Sequence, residues 1–181
     1  MLDKGISRRQ LLLGSGLLLT AGLLPQTAQA SRSTTSRELV IHNLNTGEKV
    51  RASYWENGRY LPDGLAELNH ILRDHRRNEV FDIDRKLFDQ LFLLQHKLGR
   101  KGQIELISGY RSLATNNQKH RHSRGVAKRS YHTLGQAVDI RMPGVQLAHL
   151  RQAALQLSVG GVGYYPNDNF VHLDTGPVRR W

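Results

Sequence analysis

Ser130-Tyr131-His132-Thr133-Leu134-Gly135-Gln136-Ala137-Val138-Asp139-Ile140-Arg141-Met142 decides the fold, together with the later Phe170-Val171-His172-Leu173-Asp174. A β-strand sends successive side chains to opposite faces. In Val138-Asp139-Ile140 the two branched residues therefore take one face and Asp139 the other, and in Val171-His172-Leu173 His172 opposes its aliphatic neighbours. Each strand thus buries apolar residues in a core and offers a metal-ligand type on its far side. His132 lies seven residues before Asp139, the wrong parity for a straight strand, so the chain must turn between them. Gly135 gives that turn its freedom. If the two strands are neighbours, His132, Asp139 and His172 converge on one point. Two imidazoles and a carboxylate suit Zn²⁺ with a fourth position left for water, and such a site lowers the water's pKa to about 7. Any one of these histidines taken alone is more simply a hydrogen-bonded structural residue; it is the three together that favour a metal.

Working outward, Leu39-Val40-Ile41 and Lys49 to Tyr54 read as two strands joined at Asn45-Thr46-Gly47. Leu65, Leu68, Ile71 and Leu72 repeat on one face of a helix after Pro62-Asp63, and Leu87, Phe88, Leu91, Phe92, Leu94 and Leu98 repeat along a second after Asp82. Ile104 to Ile107 reads as a buried strand, Gln136 to Met142 as another, and Leu147 to Leu157 as an amphipathic helix. Gly160 to Tyr165 and Phe170 to Asp174 form a closing pair of strands. The order predicts an α+β domain, a small antiparallel sheet with helices on one side.

Tyr110 to Tyr131 has weak periodicity and reads as a long polar loop. No acid falls between Glu105 and Asp139, whereas Arg111, Lys119, Arg121, Arg124, Lys128 and Arg129 do. This stretch either holds anionic ligands, with Arg124 and Lys128 as the contacts, or is a solvated, mobile face. His120 and His122 are two apart and carry little weight as ligands. Gly160 to Gly163 is no nucleotide fingerprint, because no helix follows it; it lets backbones approach closely or lines a cleft.

The 181 residues carry 26 Lys and Arg against 15 Asp and Glu, a formal charge of +11, and no cysteine. Disulfide scaffolds, thiol nucleophiles and Cys-based zinc fingers are therefore excluded. Residues 1–30 read as an export signal. Arg8-Arg9 precedes an apolar run from Leu11 to Leu24, and Ala28-Gln29-Ala30 offers a cleavage site. Those fourteen residues fall short of the roughly 20 that span a bilayer. The leader holds three cations and one acid, so removing it leaves 151 residues at +9. Residues 31–36 then read as a linker and 37–181 as one domain with one core. An exported protein of this charge is matched to cell-envelope polymers bearing free carboxylates, rather than to nucleic acid. A periplasmic monomer is expected, touching the membrane only transiently through the leader, whether that is cleaved or kept as a tether.

The pattern Ser130-x-His132-x-x-Gly135-x-Ala137-x-Asp139, followed by Val171-His172, resembles the signature of the zinc D-alanyl-D-alanine peptidases, a superfamily that includes VanX-type dipeptidases and the hedgehog fold. Ser108-Gly109-Tyr110-Arg111-Ser112, Arg124-Gly125-Val126-Ala127 and Gly160 to Tyr165 are similar to the YcbK/MepK-type periplasmic murein endopeptidases within it. The resemblance implies one Zn²⁺ held by His132, Asp139 and His172. It also implies hydrolysis of peptidoglycan cross-links, with diaminopimelate–diaminopimelate links preferred and D-Ala–diaminopimelate links possible. Arg111 matches the family arginine that binds substrate and polarises the scissile carbonyl, a task suited to a guanidinium at a metal site. Its alternative is a surface ion pair. Ser130 shares the side of His132 and is placed to contact peptide, as is Tyr165. Where related dipeptidases carry an acidic base, three residues before the last histidine, this chain has Asn169. Asp168 and Asp174 are the nearby carboxylates. Asp174 serves either as base or as a group orienting His172, whereas Asp168 fits a turn. The rival to an enzyme is a non-catalytic peptidoglycan-binding module with a structural zinc.

Overall fold

The computed structural model describes residues 36–99, 102–122 and 127–181, so the export signal and Arg124 lie outside the described residues. Eight strands form one sheet in the order β3-β2-β1-β4-β5-β7-β6-β8. They are β1 (Ser36–Asn43), β2 (Lys49–Glu56), β3 (Arg59–Tyr60), β4 (Ile104–Ser108), β5 (Ala137–Arg141), β6 (Gly161–Tyr165), β7 (Phe170–Asp174) and β8 (Arg179–Arg180). Helices α1 (Pro62–Ile71), α2 (Arg85–Lys97) and α4 (Leu147–Leu157) pack against one face of the sheet. Among the described residues no helix is long and apolar enough to cross a membrane.

Period-2 alternation builds the core. Leu39 and Ile41, Ala52 and Tyr54, Ile104 and Leu106, Val138 and Ile140, and Val171 and Leu173 are all buried and face the helices. The helices answer with Leu68 and Ile71 from α1, Leu87, Phe88, Leu91 and Leu94 from α2, and Leu150, Ala153 and Ala154 from α4. A proline in the first turn starts α1, and the Asp84 carboxylate accepts the Lys86 N–H at 3.0 Å to cap α2. Burying one face this way leaves the opposite face of β4, β5 and β7 free for polar side chains.

The α+β class and helix placement match the sequence reading, but the sheet is larger than expected and mixed rather than antiparallel. β1 pairs with β4 in parallel, because α1 and α2 carry the chain back to the end from which β1 started. β8 adds in parallel at the far edge of β6. β1 also begins at Ser36, one residue inside the stretch read as a linker. Residues 110–131 are not one long loop, since a helix, α3 (Leu113–His122), occupies their centre. Apolar periodicity could not reveal it. The residues it buries are Thr115 and Asn116, and Asn116 Nδ2 donates to the carbonyls of Ala127 and Lys128, each at 3.2 Å.

The turn between His132 and Asp139 is a 3-10 turn, Tyr131–Leu134, closed by Gly135 at φ +66°. A side chain at residue 135 would sit strained in the left-handed region, with its Cβ 2.8 Å from the Asp82 carbonyl oxygen. Gly135→Ala is expected to lower the unfolding free energy by about 1–3 kcal/mol in urea titration. Leu134→Ala, at an exposed neighbour, should stay within about 0.5 kcal/mol of the parent. Equal effects would mean that the turn does not depend on that conformation.

Candidate metal centre and cleft

Asp139 and His172 stand directly opposite each other in the β5–β7 register, on the face turned away from the core. The 3-10 turn brings His132 to the same place. Its geometry is fixed locally, because the Ser130 hydroxyl accepts the His132 N–H and the Arg111 N–H donates to the His132 carbonyl at 3.1 Å. His132 Nδ1–H donates to the Gly109 carbonyl at 2.7 Å, which turns Nε2 inward. On the other side His172 Nε2–H donates to Asp174 Oδ2 at 3.1 Å, which turns Nδ1 inward. The inward atoms form a small triangle: His172 Nδ1 to Asp139 Oδ1 is 2.8 Å, and His132 Nε2 lies 3.2 Å from each. All three side chains are buried, and together they form a group able to hold a metal ion.

The fit to zinc can be tested on these distances. Tetrahedral ligands at about 2.0–2.1 Å from one ion lie about 3.3–3.4 Å apart, and the triangle is only slightly tighter. Each imidazole has its outer nitrogen committed as a donor, as ligating histidines do. Electrostatics treat the two rings differently. Burial pushes His132 down from its usual pKa, favouring the neutral ring. Burial pushes His172 down as well, but the Asp139 and Asp174 carboxylates outweigh it and raise this ring. Burial alone would raise Asp139; its two histidines hold it well below the usual carboxylate range.

The triangle opens onto a cavity of about 290 Å³. Of the residues expected to touch a ligand, Arg111, Ser130 and Tyr165 line it. Arg111 is 9 % exposed, donates through Nη2 to Ser130 Oγ at 3.2 Å, and leaves its buried Nε without a partner. Lys128 does not line the cavity. Its carbonyl is tied to Asn116, and its exposed side chain borders a neighbouring hollow with Leu113 and Thr133. Sequence reasoning did not single out Lys119, Arg129 or Trp181 as cavity residues, yet all three are in the wall. Lys119 was hidden because α3 was hidden. Asp139 is the one carboxylate that lines the cavity among the described residues. Asp174 is fully buried behind the His172 ring, Asp168 is exposed in the β6–β7 turn, and Asn169 turns there at φ +55°. His120 and His122 are exposed on α3, away from the triangle.

The segment that carries Arg111 is held through three successive N–H groups. Tyr110 donates to the Leu72 carbonyl at 2.7 Å, Arg111 to His132, and Ser112 to Asp74 Oδ2 at 3.0 Å. The Ser112 hydroxyl also donates to Asp74 Oδ2, at 2.7 Å, and accepts the Thr115 N–H, starting α3. A buried aspartate therefore ties together the base of α3 and the backbone beside Arg111.

Comparison with known proteins places the chain beside a set of named peptidases. The model of a peptidase family described as peptidoglycan L,D-endopeptidase MepK matches residues 31–181. The chain is 51 % identical over 176 residues to peptidoglycan L,D-endopeptidase MepK of Escherichia coli K12, covering 97 % of each chain, and equally to that of Shigella flexneri. It is 44 % identical to the probable peptidoglycan L,D-endopeptidase MepK of Haemophilus influenzae, over 96 % of this chain and 94 % of the relative. No solved structure matches.

Removing the Asp74 anchor strands the buried Ser112 donors. Asp74→Ala is expected to destabilise the protein by about 1–3 kcal/mol and to speed proteolytic cleavage within α3. A melting profile and digestion pattern like those of the parent would contradict that anchoring role.

Proposed function

This chain belongs to the peptidoglycan L,D-endopeptidase MepK family of peptidases, and we propose that it is itself a zinc-dependent murein endopeptidase cutting peptide cross-links of peptidoglycan. The observation that carries this reading is the convergence of His132, Asp139 and His172 at the floor of a cavity that Arg111 also lines. The three side chains would hold one Zn²⁺. That ion, when bound, supplies Lewis acidity and a water acidified to a pKa of about 7. Arg111 donates to the scissile carbonyl oxygen as negative charge builds on it, from a site where low exposure strengthens the interaction. Ser130 holds one arm of that guanidinium and contacts the peptide, and Tyr165 lines the same cavity. Asp174 orients His172; its full burial argues against proton exchange with a bound peptide. Lys119 and Arg129 make the wall cationic, which suits stem peptides rich in free carboxylates. Links between two diaminopimelate residues are the preferred bond, in keeping with the relatives' L,D-endopeptidase name, with D-Ala–diaminopimelate links as a second substrate. Residues 1–30 direct the chain to the periplasm by the twin-arginine route, where residues 37–181 act as a monomeric domain.

One observation favours a second reading, a wall-binding module with a structural zinc: among the described residues no carboxylate besides Asp139 faces the cavity. Digestion of purified sacculi separates the two. Zinc-loaded protein should release cross-link fragments seen by muropeptide mapping, whereas sedimentation with sacculi and no release would favour the binder. His172→Ala should lose both zinc and activity. Arg111→Ala should keep zinc and lose about 10²–10³ in kcat. Equal zinc loss in the two variants would contradict the roles assigned here.

A further inference from the structure

Behind Asp174, the side chains that back His172 come from residues 179–181, which no motif singled out. Asp174 shares its two oxygens among several donors: His172 Nε2–H at 3.1 Å, the N–H groups of Gly161 and Gly176 at 3.1 and 2.8 Å, and Arg179, which reaches both oxygens at 3.0 and 2.6 Å. Arg179 is held in turn between two aromatic rings, with its guanidinium 4.8 Å from Tyr131 and 4.9 Å from Trp181. The Trp181 ring lies 5.3 Å from that of His172, and its indole N–H donates to the Tyr165 hydroxyl at 2.8 Å. Its backbone is tied to β6 through Val162 and Tyr164. The indole has room because residue 163 is glycine; a Cβ there would lie 2.7 Å from the ring.

A histidine presents one nitrogen to a cation reliably only when its other nitrogen is fixed as a donor. Asp174 does this for His172, but a carboxylate on a single bond can rotate. A forked guanidinium on both oxygens sets the carboxylate plane, and two ring faces set the guanidinium. Tyr131 immediately precedes His132, so Arg179 touches the segments that carry both histidines.

We propose that Arg179 and Trp181 are positioning residues of the metal centre. Arg179 locks the Asp174 carboxylate so that His172 keeps Nδ1 turned towards Asp139 and His132, and Trp181 packs beside the His172 ring while holding Tyr165 at the cavity wall. The inference rests on the reading that those three side chains hold zinc.

The test titrates zinc chloride into zinc-free parent protein, Arg179→Ala, Arg179→Lys and Trp181→Ala, in competition with a chromogenic chelator, and melts each with and without zinc. Arg179→Ala should bind zinc about 10–100-fold more weakly. Arg179→Lys keeps the charge but not the fork, so it should fall between the parent and the alanine variant, at least about threefold weaker than the parent. Trp181→Ala should also lose at least about threefold. The zinc-induced rise in Tm should shrink in step with each loss. A purely structural ion pair would instead lower the zinc-free Tm and leave zinc affinity within about twofold of the parent, and that result overturns the inference. If Arg179→Ala does not fold, the same criterion applied to Arg179→Lys decides. Parent protein that binds no zinc overturns the metal-centre reading along with this inference.

Discussion

Asp139 and His172 face each other across one antiparallel pair, in a register fixed by the apolar residues beside them. A slip of one position between β5 and β7 would turn the branched residues of one strand, either Val138 and Ile140 or Val171 and Leu173, away from the helices. The same slip would drive either a carboxylate or an imidazole into the core. The burial that stabilises the domain is thus also what brings two of the three donors opposite each other. His132 joins them through a turn of different construction, dependent on Gly135 and on the Gly109 carbonyl.

Polar side chains this close and this buried are costly unless their outer atoms have partners. Both imidazoles have one. His132 is fixed through Gly109, and His172 through Asp174 with Arg179 and two backbone N–H groups behind it. The donors at the centre therefore keep their lone pairs aimed at one another, an arrangement that favours a cation between them. Arg111 is built on the same plan: its backbone is pinned to His132 and its neighbour Ser112 to Asp74, leaving the guanidinium to reach into the cavity. Placement of the charged wall thus follows from hydrogen bonds between loops, whereas the floor follows from the sheet.

That division explains what could be read from the sequence. Period-2 alternation around Asp139 and His172, and the apolar stripes of α1, α2 and α4, are local patterns tied directly to burial, and they located the core and the floor of the site. Apolar patterning carries no trace of α3, whose buried side are Thr115 and Asn116, so Lys119 escaped notice as a cavity residue. β3 and β8 hold two residues each, too short for any alternation to register. The parallel pairings of β1 with β4 and β6 with β8 are long-range facts about how the chain returns. Arg179 and Trp181 were missed for the same reason, since their role arises from contacts with Asp174 and His172 that no spacing encodes.

X-ray absorption at the zinc edge on protein loaded with one equivalent of zinc tests the central claim most directly. The account predicts one ion per chain, with a nitrogen and oxygen shell at about 2.0–2.1 Å and outer-shell scattering from two imidazoles that drops to one in His132→Ala. Sub-stoichiometric zinc, or a spectrum unchanged by that substitution, would contradict it.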